Sequence, residues 1–191
     1  GGNLTDVLDQ FPTAIVQDPT AAAACTATSA IAPQLIVDVC AGRGTKTRQL
    51  AAIHPMARVV ASDISPSRML SLHDLAESHD RIESCPSKEL MSLAGTVDLL
   101  VLDVPCSNSG VLARRVEARH RQDSATRQRL RDLQRQIAAD SLALLAPGGT
   151  LLWATCSIHP DENEKQIEWL TEWHDLEVAM MRRELGQAGP G

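Results

Sequence analysis

Five cysteines are spread along this 191-residue chain (Cys25, Cys40, Cys85, Cys106 and Cys156), and two of them stand where chemistry is possible. Cys106 lies in Asp103-Val104-Pro105-Cys106-Ser107-Asn108-Ser109-Gly110. Cys156 lies in Thr155-Cys156-Ser157-Ile158-His159-Pro160. Each follows directly on an apolar run. A lone free cysteine is usually a core residue, and Cys25 and Cys85 read that way. Strand-end turns rich in small residues instead give a thiol the access and polar setting that reactivity needs. The odd count and the absence of any C-x-x-C pair argue against a disulfide framework and a zinc site, so no metal is expected. A thiolate can add to carbon 6 of cytosine, making an enamine whose carbon 5 accepts a methyl group, a route that splits one hard step into easier ones. A second thiol can assist release, and Asp103 can stabilise charge near ring nitrogen 3. Spacing alone does not choose which cysteine attacks.

A second cluster concerns a cofactor. Cys40-Ala41-Gly42-Arg43-Gly44-Thr45-Lys46-Thr47 joins a strand to a helix, where glycine permits close backbone approach and the helix start offers free N–H groups. Asp63 ends the next strand, where an acid can bind the hydroxyls of a ribose. Thr45 precedes Lys46 where a P-loop needs glycine, and Thr47 stands where a dinucleotide fingerprint needs its third glycine. S-adenosylmethionine has no pyrophosphate and makes no such demand, so a methyltransferase is favoured over a dehydrogenase.

These residues need a scaffold, and the pattern supplies one. Apolar runs at 35–40, 57–62, 81–84, 97–102 and 150–155 read as strands, with a sixth at 176–180. Helical patterns fall between them, from about Lys46 to Ile53, from Ser65-Pro66 onward with Ser65 as cap, from about Ala125, and from Asp161 to Trp173. In the third of these, Leu130, Leu133, Ile137, Leu142 and Leu145 recur at near-helical spacing, and Pro147-Gly148-Gly149 is expected to stop the helix and turn the chain into the fifth strand. Alternation of this kind predicts an α/β fold, a doubly wound, mostly parallel sheet with helices on both faces. In such a sheet, ligands bind outside the carboxyl ends of the strands at the switch in strand order, which brings Cys40, Asp63, Asp103, Cys106 and Cys156 to one edge. Ala21 to Ala24 is the one low-complexity run, and the whole reads as one domain.

Composition sets the outer bounds. An apolar content of 43% can build one core, with Leu, Val, Ile and Ala in place of the scarce aromatics. No apolar stretch is long enough to span a membrane, and the first residues carry no leader pattern, which fits a cytoplasmic protein. The net charge of −6 hides a basic segment: between Val111 and Gln136 eight arginines (114, 115, 119, 121, 127, 129, 131 and 135) face only Glu117, Asp123 and Asp132. That segment is either a solvated helix face or a strip that tracks nucleic-acid phosphates.

Together these segments resemble the RsmB/NOP/Sun-type family of RNA 5-methylcytosine methyltransferases. The family motifs C-A-A-P-G-G-K-T, D-x-P-C-S-x-x-G and T-C-S-x-x-x-x-E-N-E match Cys40 to Thr47, Asp103 to Gly110, and Thr155-Cys156-Ser157 with Glu162-Asn163-Glu164. Arg43 and Thr45 replace the usual Pro and Gly, and no acid follows the third strand in Ser84-Cys85-Pro86-Ser87-Lys88. The resemblance implies a Rossmann-like class I methyltransferase in which Cys156 is the nucleophile, Cys106 helps release product, and Asp103 lies between cofactor and base. It implies S-adenosylmethionine bound by Cys40, Ala41, Gly42, Arg43, Gly44, Thr45, Lys46, Asp63, Arg68 and Asp103, with Lys46 also supporting catalysis. Arg114, Arg115, Pro105 and Ser107 would face the RNA, ribosomal rather than transfer RNA. Residues 1–191 would be a single catalytic domain, without most of the family's N-terminal RNA-binding extension or its final strand. The competing reading is a non-catalytic RNA-binding or assembly factor that keeps the fold.

Overall fold

The computed structural model describes residues 19–111 and 123–182. Five strands, β1 (Leu35–Asp38), β2 (Arg58–Ala61), β3 (Ile82–Ser84), β4 (Val97–Asp103) and β5 (Leu145–Ala154), form one sheet in the order β3-β2-β1-β4-β5. Every pairing is parallel, with Asp38 opposite Ala61 and Val101 and with Asp103 opposite Ala154. The strand order reverses between β1 and β4, so the crevice expected at a topological switch opens above their carboxyl ends.

Side-chain alternation explains the two helical layers. Ile36, Val59, Ala61, Leu99 and Val101 point to one face and pack with Leu50, Leu72 and Leu75. These belong to α2 (Thr45–Ile53) and α3 (Pro66–Glu77), with Cys25 of α1 (Pro19–Thr26) in the same cluster. Val37, Val60, Leu100 and Leu102 point the other way and pack with Ala138, Leu144 and Leu170. Ala138 is on α4 (Ser124–Ser141) and Leu170 on α5 (Glu164–Trp173). A period of two along strands buried on both faces therefore produces the sandwich predicted from sequence.

Four local expectations are corrected, and the alanine run, for which none was made, gains a structure. The alanine run forms a helix, α1, and Gln49 of α2 donates to the Ala22 carbonyl at 2.8 Å. Pro147-Gly148-Gly149 lies inside β5 rather than before it. The register shifts between Val97 and Leu99, Gly148 takes φ +77°, and a Cβ on Gly149 would stand 2.8 Å from the Val97 carbonyl oxygen, so the glycines make a bulge. Residues 176–180 form no strand, and Val178 and Met180 are exposed, with no strand pairing among the described residues. On α4 the buried face is Gln134, Ala138 and Ser141, while Leu133 is exposed, because Gln134 turns inward to a polar partner described below. Ser65 precedes α3 without a side-chain cap; its own N–H is instead bound by Asp63.

Candidate active site

The glycine turn after β1 opens the site. Gly42 and Gly44 both take left-handed backbone, at φ +61° and +82°, which their lack of a Cβ makes easy. The two differ in purpose. A Cβ on Gly44 would meet Leu75 Cδ2 at 2.4 Å, so Gly44 lets the turn pack on α3. A Cβ on Gly42 would meet nothing within 4 Å, so Gly42 faces open space at the sheet edge.

Asp63 holds this turn in place. Its Oδ2 accepts from the Gly42 N–H at 3.0 Å and from Arg68 Nη1 at 3.2 Å, and its Oδ1 accepts from the Ser65 N–H at 2.8 Å. Two of these donors are fixed backbone, whereas the Arg68 side chain is 56% exposed and is the donor that an incoming hydroxyl could replace. Below the turn, Asp38 is fully buried. Thr47 Oγ1 donates to its Oδ2 at 2.8 Å, while Oδ1 has no hydrogen-bond partner. Burial pushes the Asp38 carboxyl up to about 7, only partly countered by the Thr47 hydroxyl. Burial likewise raises the Cys40 thiol to about 12, which makes Cys40 a wall of the pocket rather than a reactive group.

Across the switch, Lys46 Nζ lies 2.7 Å from Asp103 Oδ2. The pair links the first turn of α2 to the end of β4. Burial works against the Lys46 ammonium, but the charge of Asp103 and its hydrogen bond outweigh it, so Lys46 stays protonated.

The two thiols meet beside this pair. Cys106 Sγ lies 3.1 Å from Cys156 Sγ, and Asn108 Oδ1 accepts from Cys156 Sγ at 2.6 Å and from Cys106 Sγ at 3.5 Å. Cys106 is 2% exposed and Cys156 is exposed. The hydrogen bond shared with Cys106 lowers the Cys156 thiol below its ordinary range despite burial, with Lys46 lowering it further and Asp103 opposing. The same bond, together with burial, holds Cys106 protonated. Asn108 occupies left-handed backbone at φ +58°, a conformation its short amide side chain tolerates.

Behind the thiols, the fully buried carboxylate of Glu162 joins their two loops. Glu162 Oε1 accepts from the Ser107 N–H at 2.9 Å and from Gln134 Nε2 at 3.2 Å. Its Oε2 accepts from Ser107 Oγ at 2.5 Å and from Ser157 Oγ at 2.6 Å. Asn163 braces the same turn, accepting from Thr155 Oγ1 and donating to the Ser157 and His159 carbonyls. Gly110 closes the contact, its N–H donating to the Cys156 carbonyl at 3.0 Å.

Residues 28–188 match the model of the 16S rRNA methyltransferase RsmB/F family. The chain belongs to that family. It is 35% identical over 163 residues to ribosomal RNA small subunit methyltransferase B of Shewanella oneidensis, covering 81% of this chain and 37% of the relative. It is 31% identical over 172 residues to ribosomal RNA small subunit methyltransferase F of Escherichia coli, covering 84% of this chain and 34% of that one. The chain thus spans about a third of the length of the curated relatives it matches. The crystal structure of the protein PH0851 superposes with a TM-score of 0.75 at 30% identity, over 84% of this chain and 38% of its own. The fold is that of a Rossmann-like class I methyltransferase.

In this RsmB/F chain the expected groups gather at one edge: the Cys40 to Lys46 turn, Asp63 with Arg68, Asp103, and both thiols. Ser107 departs from expectation. It is fully buried, and its hydroxyl and N–H both go to Glu162, so it does not face RNA. Pro105 is exposed beside it, with its carbonyl taken by Gln134 Nε2 at 3.0 Å. Arg114 and Arg115, with Arg119 and Arg121, lie outside the described residues. Of the remaining arginines, Arg131 pairs with Asp161 in the turn before α5 at 3.1 Å, and Arg135 bonds Gln166 and lies over Trp169 of α5, so these two tie α4 to the segment 161–169. Sequence reasoning assigned no role to Asp38, Asn108, Gln134 or Glu162. The fixed spacing of Glu162 after Cys156 in the third motif was the one signal that could have found it. Among the described residues no cluster of three or more His, Cys, Asp or Glu side chains could hold a metal, and no helix is long and apolar enough to cross a membrane.

Proposed function

We propose that this domain methylates carbon 5 of a cytosine in small-subunit ribosomal RNA, in the cytoplasm, using S-adenosylmethionine and a covalent adduct on Cys156. The observation that carries this reading is the exposed, low-lying Cys156 thiol in contact with the buried, protonated Cys106, beside the Lys46–Asp103 pair at the sheet switch. The cofactor's requirements fit the residues present. Gly42 leaves open space at the turn, Asp63 has an exchangeable donor in Arg68, and the orphaned Oδ1 of Asp38 lies beneath the turn. Cys40 to Lys46, Asp63, Arg68 and Asp103 would hold it. When bound, S-adenosylmethionine supplies a methyl group made electrophilic by its sulfonium.

The chain's own residues account for the remaining chemistry. Cys156, as thiolate, forms a bond to carbon 6 of the base and moves the ring's electron pair toward carbon 5. Ring nitrogen 3 takes up the proton that Cys156 releases, and the Asp103 carboxylate, held by Lys46, accepts the hydrogen bond of that N–H. After methylation Cys106, once its own proton has passed to solvent, takes the carbon-5 proton; that carbon–hydrogen electron pair re-forms the ring double bond, the sulfur–carbon 6 bond breaks and its electron pair returns to Cys156. Pro105 and the segment with Arg114 and Arg115 would meet the RNA. Retention of both thiols in contact favours catalysis over a scaffold role.

The reading is tested by incubating the full-length protein with methyl-labelled S-adenosylmethionine and unmodified small-subunit ribosomal RNA, then digesting to nucleosides. Label in 5-methylcytidine is expected. Label confined to another nucleoside would overturn the assignment of the target atom.

A further inference from the structure

We infer that Glu162, braced by Gln134, is a positioning residue that clamps the Cys106 and Cys156 loops together and so keeps the two sulfurs in contact. Three elements converge on one side chain. Ser107 adjoins Cys106, Ser157 adjoins Cys156, and Gln134 projects from the middle of α4. Their N–H, hydroxyl and amide groups place four donors on the two oxygens of Glu162, at 2.5 to 3.2 Å. Four donors fill the lone-pair capacity of a carboxylate.

The clamp acts one residue away from each sulfur. Because Ser107 is tied through both its N–H and its hydroxyl, the backbone of the Cys106 loop is fixed as well as its side chain. Gln134 adds a grip on the other side of Cys106 by donating to the Pro105 carbonyl. The serine hydroxyls also meet each other at 3.2 Å, and Ser109 reaches Ser157 at 3.0 Å. A carboxylate with no access to water is costly unless its hydrogen bonds are complete, and a small apolar side chain would fill the same space more cheaply. What the carboxylate provides is a fixed separation between two loops that leave different strands. The value of that separation to catalysis rests on the covalent reading above. The geometry of the clamp does not.

The test uses the thiols themselves as a ruler, in full-length protein without RNA. Diamide removes two hydrogens from a pair of thiols in contact, and peptide mass mapping then identifies the Cys106–Cys156 link. Glu162→Ala is expected to form that link about tenfold more slowly than wild type, the scale of loss that a misplacement of order 1 Å produces. Glu162→Gln is expected to stay within about threefold, because its amide still offers an acceptor to Ser107 and a polar partner to Ser157. Iodoacetamide labelling of Cys156 at a pH above the ordinary thiol range, where the thiol ionises whether or not Cys106 touches it, should remain within about threefold of wild type in both, which separates positioning from intrinsic thiol reactivity. A link formed by Glu162→Ala at the wild-type rate would overturn the clamp. If Glu162→Ala does not fold, Gln134→Met takes its place: slower linkage is expected, and the wild-type rate would overturn the inference. In the methylation assay, Glu162→Ala should lower kcat by about tenfold with KM for RNA nearly unchanged. An unchanged kcat would remove the clamp from catalysis. Slow linkage in Glu162→Ala alongside a wild-type protein that methylates no cytosine would instead sink the covalent reading and leave the clamp standing.

Discussion

Cys106 Sγ lies 3.1 Å from Cys156 Sγ, with Cys106 sealed in the fold and Cys156 open to the site. The asymmetry makes the two thiols unequal in acidity. Burial and the contact between the sulfurs raise the Cys106 thiol, and the same contact lowers the exposed Cys156. Exposure and acidity therefore fall on the same residue, Cys156, as a nucleophile requires.

The charges beside Cys156 should move its titration in opposite directions. Lys46 favours the thiolate and Asp103 disfavours it. In Lys46→Met, the pH profile of iodoacetamide labelling at Cys156 should shift to higher pH. In Asp103→Asn it should shift to lower pH, since a negative charge is removed while Lys46 remains. Mass spectrometry of the labelled peptide across pH reads both shifts. Movement in the same direction would show that these charges do not govern the thiol.

Asp38 makes stability depend on pH. Its carboxyl titrates at about 7 in the fold, above its ordinary value of 3.8. The folded state therefore binds a proton that the unfolded state has released, and stability falls as pH rises from about 4 through about 7. Asp38→Asn keeps an acceptor for Thr47 Oγ1 without the buried charge. Its Tm relative to wild type should rise between pH 5 and pH 8; a difference that is constant with pH would contradict the raised carboxyl.

Asp63 and Arg68 share one contact but should not share one phenotype. Asp63 carries the Gly42 and Ser65 N–H groups, whereas Arg68 is largely in solvent. Asp63→Ala should weaken S-adenosylmethionine binding by about tenfold or more, the loss expected when hydrogen bonds to a charged group are removed. Arg68→Ala should change it by less than about threefold, as for an exposed ion pair. Calorimetric titration compares the two, and equal losses would contradict the exchangeable-donor role of Arg68.

Gly110 is the point where the two cysteine loops touch. A Cβ there would come within 2.9 Å of the Cys156 carbonyl oxygen and 3.4 Å of Ile158 Cγ2. The backbone oxygen cannot move aside without carrying Cys156 with it. Gly110→Ala should lose about 1–3 kcal/mol of stability, the usual cost of overpacking, and Tm should fall by about 2–4 °C for each kcal/mol. A thermal melt with unchanged Tm would show that the loops are free to part.

Much of this was legible in the sequence because it depends on local pattern. Strands alternating with helical segments predicted a parallel sheet with helices on both faces, and the sheet has them. Strand ends followed by Cys40, Asp63, Asp103 and Cys156 located the site. What escaped depends on partners far apart in the chain. Gln134 reads as a polar gap in an amphipathic helix until Glu162, 28 residues later, is seen to accept from it. Ser107 looks like an exposed turn residue until the same carboxylate draws it inward. The sixth strand looked plausible from its β-rich residues, but a strand needs a neighbour, and 176–180 pair with no strand among the described residues.

The most direct test of the division of labour is covalent trapping in the full-length protein with its RNA. Cys156→Ala should abolish methylation and form no protein–RNA adduct on a denaturing gel, because the bond to carbon 6 cannot form. Cys106→Ala should accumulate that adduct, because attack proceeds while release stalls. An adduct in Cys156→Ala that is lost in Cys106→Ala would contradict the account and exchange the roles of the two cysteines.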